Sequence, residues 1–152
     1  MIIIEQMLTS FVASGAFGII FNMPQKSLIK CGLVGMIGWM LYFLLFNNHV
    51  NNVIASFVAA FFVAAISQFF AKRYKTPVIV FSVAGIIPLV PGSTAYDAMR
   101  HIVENDYNTA IQLATKAFMV SGAIAVGLVF SEVINQLINK FKHSKRSKTT
   151  SR

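Results

Sequence analysis

Residues 84–99 read AGIIPLVPGSTAYDAM, and this stretch decides the fold because residues that cannot continue a helix interrupt a long apolar run here. Pro88 and Pro91 lack a backbone N–H, and each proline ring clashes with the carbonyl group one turn earlier. A helix that arrives from Val78 must therefore kink or stop. Gly92 then allows the chain to turn. The sequence predicts a helix end next to a helix start.

The same stretch contains signals for a new helix directly after the break. Ser93 or Thr94 can act as its N-cap, and Thr94 with Asp97 three residues later fits the capping-box pattern. Between Pro77 and Pro91 lie about fifteen residues, or roughly 22 Å of helix, whereas the hydrocarbon layer is about 30 Å thick. If the arriving helix starts at the membrane surface, the break falls inside the membrane.

Interrupted backbone at this depth has a functional interpretation. It is tolerated only where protein or a watery cavity surrounds it, and discontinuous helices line the substrate sites of many transporters. The N–H groups of Gly92, Ser93 and Thr94, at the positive dipole end of the new helix, favour a carboxylate ligand. The alternative is an ordinary proline-glycine turn between a membrane helix and an outer loop. The predicted solute-binding residues are Pro88, Pro91, Gly92, Ser93, Thr94 and Tyr96.

The composition is that of an integral membrane protein. Of 152 residues, 56% are hydrophobic and only 12% are charged, and the mean hydropathy of +0.67 is too apolar for a soluble domain of this size. The formal net charge is +8, but six of the thirteen Lys and Arg residues lie after Asn139. Because the positive charge is concentrated in this tail, the sequence argues against nucleic-acid binding.

The sequence lacks the patterns of enzymes and metal sites. Its single cysteine, Cys31, allows neither an internal disulfide nor a Cys-based zinc site. His49, His101 and His143 fall in separate loops and in the tail. No zincin, nucleophile-elbow or Walker motif occurs. We therefore expect no enzyme activity, no cofactor and no metal.

The apolar runs predict an all-α membrane protein with five transmembrane helices, followed by a basic cytoplasmic tail at residues 143–152. The fourth helix is broken at the Pro-Gly motif and is followed by a short interfacial helix. On that helix the residues of one face are polar, namely Asp97, Arg100, His101 and Glu104. The residues of another face are apolar, namely Ala95, Met99, Ile102 and Val103. The predicted spans, within a membrane domain of residues 1–142, are residues 2–21, 28–46, 53–70, 77–91 and 110–137.

Small and polar residues recur along single faces of the first three spans. Such faces allow helices to approach closely, so we expect them to contact protein rather than lipid. The sets are Ser10, Ser14 and Gly18 in the first span, Gly32, Gly35 and Gly38 in the second, and Ser56, Ala60, Ala64 and Gln68 in the third.

Loop charges predict the orientation of the chain. In a five-span layout the basic residues at positions 26, 30, 72, 73 and 75 fall on the same side as the basic tail, whereas the opposite loops carry only Arg100. The positive-inside rule then places the N-terminus outside the cell and the C-terminus in the cytoplasm. We expect a multi-pass protein of the cell membrane.

Two acidic residues are candidates for proton coupling. Asp97 lies about one turn inside the restarted helix, where it can hold a proton during transport or only cap the helix. Glu132 lies within the last span, and an acid at membrane depth is a functional candidate by default. A structural role for Glu132 at the polar end of that span is the alternative.

The run PLVPG at residues 88–92, followed by Ser93, Tyr96 and Asp97 in a five-span layout, resembles the threonine/serine exporter family. The likeness is to the split form, in which a small membrane protein corresponds to the C-terminal half of the full exporter. It implies secondary export of small amino acids or small carboxylates, driven by an ion gradient, with a second membrane subunit supplying the other half. An oligomer of this chain is also compatible with the sequence. The alternative function is a scaffold that stabilises a partner transporter without transporting.

Overall fold

The computed structural model describes the backbone of residues 2–150 and the side chains of residues 3–25 and 27–140. Four helices in this part of the chain are long and apolar enough to cross a membrane, and five spans result if a bent pair counts as one. The prediction of an all-helical membrane protein is confirmed. The elements are α1 (Ile2–Ile20), α2 (Gln25–Asn47), α3 (Asn52–Tyr74), α4 (Val78–Ile86), a 3-10 turn (Ile87–Leu89), α5 (Gly92–Val103) and α6 (Tyr107–Thr150).

Prolines and left-handed residues set the ends of these helices. Pro24, Pro77 and Pro91 each occupy the position directly before a helix, where the missing N–H costs no helical hydrogen bond. A residue with positive φ gives each of the other connections its sharp turn. These residues are Asn22, His49, Lys75 and Asn105. The break between α4 and α5 is the one connection in the described chain that prolines alone produce.

Helix α3 lies at the centre of the bundle. It packs against α2, α4 and α6, while α1 packs mainly against α2 and α5 packs along α6. Asn52 at the start of α3 shares a groove with Gln112 of α6, and Lys72 near its end donates a hydrogen bond of 2.7 Å to Asn135. Helices α3 and α6 therefore run in the same direction. We call the end of the bundle that holds Lys72 and Arg73 the basic end.

The core lies where α2, α3, the 3-10 turn and α6 meet. Leu89 of the turn is buried in one cluster with Ala59 and Val63, which lie near the middle of α3. The turn is therefore at the middle of the bundle rather than at one of its ends. We call this group the central cluster, and it consists of Val34, Ala59, Ala60, Val63, Leu89, Val120 and Ile124.

The small and polar faces of the first three spans pack against protein, as predicted, and every residue of the three sets is buried. A Cβ atom added at Gly35 would overlap the side chain of Ser14. On α6, a Cβ atom added at Gly127 would lie 2.7 Å from the carbonyl oxygen of Phe57. The pairs α1–α2 and α3–α6 are therefore in close backbone contact, which a larger side chain would prevent.

Helix α6 extends beyond the predicted span on both sides. Its 44 residues correspond to about 66 Å at 1.5 Å per residue, roughly twice the hydrocarbon thickness of a bilayer. The predicted span at residues 110–137 lies inside this helix. The side chains of the predicted basic tail, residues 143–152, lie outside the described residues, and so does the backbone of residues 151 and 152.

Replacing Gly127 by alanine tests the close contact between α3 and α6. The added methyl group would meet main-chain oxygen of Phe57, which can yield only if the helices separate. We therefore expect the free energy of unfolding to fall by about 1–3 kcal/mol. The control is Gly122→Ala on the same helix, where an added Cβ meets nothing within 4 Å. Thermal unfolding in detergent should show a lower midpoint for Gly127→Ala alone, and equal midpoints would contradict the packing.

Candidate functional site

The helix that arrives at the break ends earlier than the sequence predicted. The expected fourth span covers residues 77–91, but α4 ends at Ile86 and the 3-10 turn Ile87–Leu89 follows. Helix α5 then starts at Gly92 with its axis turned by 50°. The break thus separates two distinct helical rods.

The two prolines explain this geometry in two steps. Pro88 has no N–H to donate to the carbonyl group of Ala84, so the α-helical hydrogen-bond pattern cannot continue through it. Val90 is extended, with φ −63° and ψ 129°, because Pro91 disfavours helical backbone in the residue before it. The extended residue is what redirects the chain into α5.

Helix α5 begins without the predicted cap. Pro91 is the N-cap residue, and no side chain caps the helix among the described residues. The first helical hydrogen bond runs from the Ala95 N–H to the Pro91 carbonyl oxygen at 3.1 Å. Ser93 and Thr94 therefore already lie inside the helix. The prediction of an N-cap at these residues is wrong, and so is the capping box between Thr94 and Asp97. The N-cap is Pro91, three residues before Thr94.

The N–H of Gly92 is already hydrogen-bonded within the chain. This N–H donates to the carbonyl oxygen of Val90 at 2.8 Å. The N–H groups of Ser93 and Thr94 precede the first helical bond and receive no side-chain cap in the described chain. Two N–H groups at the positive end of the helix dipole therefore remain for an anion.

The predicted solute-binding residues fall on two sides of the break. Gly92 and Ser93 are exposed, Thr94 is half-buried, and Tyr96 one turn further along is 69% exposed. Pro88 instead lines a separate cavity of about 180 Å³ between α1 and α2. The structure therefore groups the first turn of α5 with Tyr96 and places Pro88 in a different cavity.

Helix α5 packs along α6 instead of lying apart from the bundle. Ala98 is buried against α6, and Asp97 and His101 are half-buried on the same side of the helix. Met99 and Val103, from the predicted apolar face, are 64% and 80% exposed. Two residues of the polar face are therefore turned toward protein, whereas Arg100 and Glu104 on that face are exposed. The exposed apolar residues are free to contact lipid.

Charged residues gather where α5 connects to α6. Arg100 Nε lies 2.8 Å from Glu104 Oε1, and His101 Nδ1 lies 3.5 Å from Glu104 and 3.6 Å from Asp106. Hydrogen bonding from Thr109, and to a smaller extent the nearby His101, holds the pKa of Asp106 below its usual range. Within the described chain, no group of three His, Cys, Asp or Glu residues is placed to hold a metal ion.

Glu132 lies in a different place, in a cleft between α3, α4 and α6 that we call the α3–α4–α6 cleft. This cleft has a volume of about 390 Å³ and lies toward the basic end of the bundle. Glu132 is therefore not brought together with Asp97 or with the start of α5. The polar residues that line the cleft are Gln68, Ser82, Glu132, Asn135 and Gln136.

A comparison with known protein families decides what kind of protein this is. The family model for the threonine/serine exporter, ThrE, matches residues 6–134, which include the break, α5 and Glu132. The chain belongs to the threonine/serine exporter family. This is a family of membrane transporters rather than enzymes, so with its apolar helices the chain is a multi-pass membrane protein of amino-acid export. No solved structure matches it.

Sequence reasoning missed two polar contacts in this exporter-family chain. Trp39 Nε1 donates a hydrogen bond of 2.7 Å to Gln6 Oε1 beside the 3-10 turn. Lys72 Nζ donates to the side-chain oxygens of Asn135 and Asn139 at 2.7 and 3.2 Å. Each contact joins residues more than thirty positions apart, so no local pattern reveals it. For each contact, the sequence offered one signal, which was a single polar side chain, Gln6 or Lys72, near the end of an apolar run.

Proposed function

We propose that this chain is the five-span membrane subunit of a secondary exporter of threonine, serine or similar small amino acids, in which α4 and α5 form one broken span. The observation that carries this proposal is the position of the 3-10 turn. Leu89 of the turn is buried in the central cluster with Val63, near the middle of α3. Because α3 is long and apolar enough to cross a bilayer, this position corresponds to the interior of the membrane.

The lengths and directions of the helices support a broken span. Helix α4 and the 3-10 turn together rise about 20 Å, which is less than the roughly 30 Å of the hydrocarbon layer, and α5 adds about 18 Å. Helices α3 and α6 run in the same direction, so the chain has to cross back between them. The pair α4 and α5 is the described segment that connects them.

The first turn of α5 supplies the solute site in this proposal. An unpaired N–H group in hydrocarbon costs several kcal/mol, so the N–H groups of Ser93 and Thr94 require a polar partner at this depth. A solute carboxylate can accept both and is attracted by the helix dipole. Pro91 and Gly92 keep side-chain bulk away from the opening, and Tyr96 borders it from the next turn.

A second membrane subunit, corresponding to the other half of the exporter, completes this site. Gly92 and Ser93 are exposed on the surface of this chain, and irregular backbone facing lipid is not tolerated. The exposed side of the break therefore requires protein or a water-filled cavity next to it. A partner subunit across the break provides both a wall for the cavity and a route for the solute, and further copies of the chain in an oligomer are compatible with this arrangement.

Export should depend on the open space at Gly92. An added Cβ meets nothing within 4 Å, so a Gly92→Phe chain should fold, while its ring covers the N–H groups of Ser93 and Thr94 and abolishes export. Gly122→Phe on α6 is the matched control, since an added Cβ is equally unobstructed there. The measurement is threonine efflux from proteoliposomes that contain both subunits in equal amounts. Unchanged efflux with Gly92→Phe would remove the proposed site.

The same proteoliposomes distinguish a transporting subunit from a scaffold. A scaffold that only stabilises or targets its partner leaves the inserted partner with its full flux when this chain is omitted. The proposed function instead predicts that neither subunit alone transports threonine above the background of empty liposomes. Full flux from the partner alone would therefore favour the scaffold.

Asp97 and Glu132 are the proposed proton-coupling residues. Asp97 is half-buried one turn from Ser93, so a change of its charge affects the site that binds the solute carboxylate. The carboxamide of Asp97→Asn cannot bind and release a proton, and we expect threonine efflux to become independent of an imposed pH gradient. Glu104→Gln, at the far end of α5, is the control. If Asp97→Asn keeps its full gradient dependence, Asp97 is excluded and Glu132→Gln is tested in the same assay.

The proposed orientation has the N-terminus outside and the basic end of the bundle in the cytoplasm. Cys31 is the single native cysteine, so Cys31→Ser gives a background for labelling. On this background, a membrane-impermeant maleimide should label His49→Cys in intact cells, whereas it should label Ser147→Cys only after permeabilisation. The reverse labelling pattern would show that the orientation is inverted.

A further inference from the structure

The α3–α4–α6 cleft contains a buried polar group that the carboxylate site does not use. Gln68 is only 8% exposed, yet it lines this cleft. Its carboxamide makes no hydrogen bond to any side chain or main-chain group in the described part of the chain. Although the residue is buried, its carboxamide atoms are open to the cleft, where they can bind water or a ligand. This position is therefore suited to a polar ligand.

Glu132 faces the same cleft without a cationic partner. Its Oε1 atom accepts a hydrogen bond of 3.3 Å from Gln136, but Glu132 forms no ion pair with any side chain that the structure describes. Lys72, which is close by, is instead hydrogen-bonded to Asn135 and Asn139. A carboxylate in a membrane segment is strongly stabilised by a cation. The cleft thus combines an exposed carboxylate that forms no ion pair in the described chain with a carboxamide that forms no hydrogen bond there.

We propose that the α3–α4–α6 cleft binds the ammonium group of the exported amino acid and thereby selects amino acids over simple carboxylates. The proposal rests on the proposed export function and names the solute class. An ammonium group has three N–H donors, and the cleft offers three oxygen acceptors on Glu132, Gln68 and Ser82. The Ser82 hydroxyl donates to the Val78 carbonyl oxygen at 3.2 Å, which leaves its oxygen free to accept. A volume of about 390 Å³ accommodates a small amino acid.

This ammonium site is separate from the carboxylate site at the start of α5. Val120 packs in the central cluster at the level of the break, and Glu132 follows twelve residues later, about 18 Å along α6. A single small amino acid cannot contact both sites at once. Leu128, which lines the cleft and packs against the central cluster, stands between them. The solute therefore binds first by its ammonium group at the basic end and then by its carboxylate at the break.

The test compares L-serine with 3-hydroxypropanoate, which is serine without its amino group. Proteoliposomes contain both subunits, and the measured quantities are the KM for L-serine efflux and the inhibition constant of 3-hydroxypropanoate as a competitor. Glu132→Gln should raise the KM for L-serine about 10- to 100-fold, because a charge-assisted hydrogen bond is lost. The inhibition constant of 3-hydroxypropanoate should stay unchanged. The selectivity for L-serine over 3-hydroxypropanoate therefore falls by the same factor. Gln68→Met, which keeps the side-chain volume, should raise the KM for L-serine in the same direction.

Controls separate a failure of this inference from a failure of the export function. Glu104→Gln, whose carboxylate is paired with Arg100 far from the cleft, should leave both constants unchanged. No serine efflux from the unaltered complex would overturn the export function itself. Normal serine efflux with an unchanged KM in Glu132→Gln would overturn this inference alone. An equal rise in the KM for L-serine and in the inhibition constant of 3-hydroxypropanoate would also overturn it, since Glu132 would then not recognise the amine.

Discussion

The structure depends on one constraint, which is that backbone N–H and carbonyl groups inside a bilayer must find partners within the protein. Pro88 and Pro91 remove two donors from a segment that lies in the middle of the bundle. Their absence leaves carbonyl groups without helical partners and forces Val90 into an extended conformation. The chain tolerates this because the 3-10 turn is enclosed by α1, α2 and α3, where lipid cannot reach it.

The close packing around the break is a consequence of the same constraint. Gly85 lies against α2 and α3, and a Cβ atom added there would come within 2.7 Å of both Val34 and Val63. Helices brought this close exclude lipid from the turn on one side. On the other side α5 diverges from the bundle and packs mainly against α6. The enclosed side provides stability, and the open side is where the proposed solute site and partner subunit meet.

Much of the fold could be predicted from local sequence, whereas the sites could be predicted only in part. The apolar runs predicted the helices, and the small-residue faces, such as Ser14 opposite Gly35, correctly predicted which sides are buried. The proline pair predicted a break, but the capping pattern at Thr94 was misleading because helix initiation after Pro91 needs no side-chain cap. The cleft that contains Gln68 and Glu132 depends on how α3 and α6 align, and no pattern within either helix specifies that alignment.

The charges of an amino acid give a reason for two polar sites in one subunit. A zwitterion carries an ammonium group and a carboxylate, and each is costly to strip of water without an opposite charge or a set of hydrogen bonds. The cleft presents a carboxylate at the basic end, and α5 presents N–H groups and a positive dipole end near the middle of the bundle. The central cluster between them is apolar and closely packed. In the proposed transport path, passage between the two sites requires the cluster to open, so the residues that hold the bundle together would also be the barrier to uncoupled leakage.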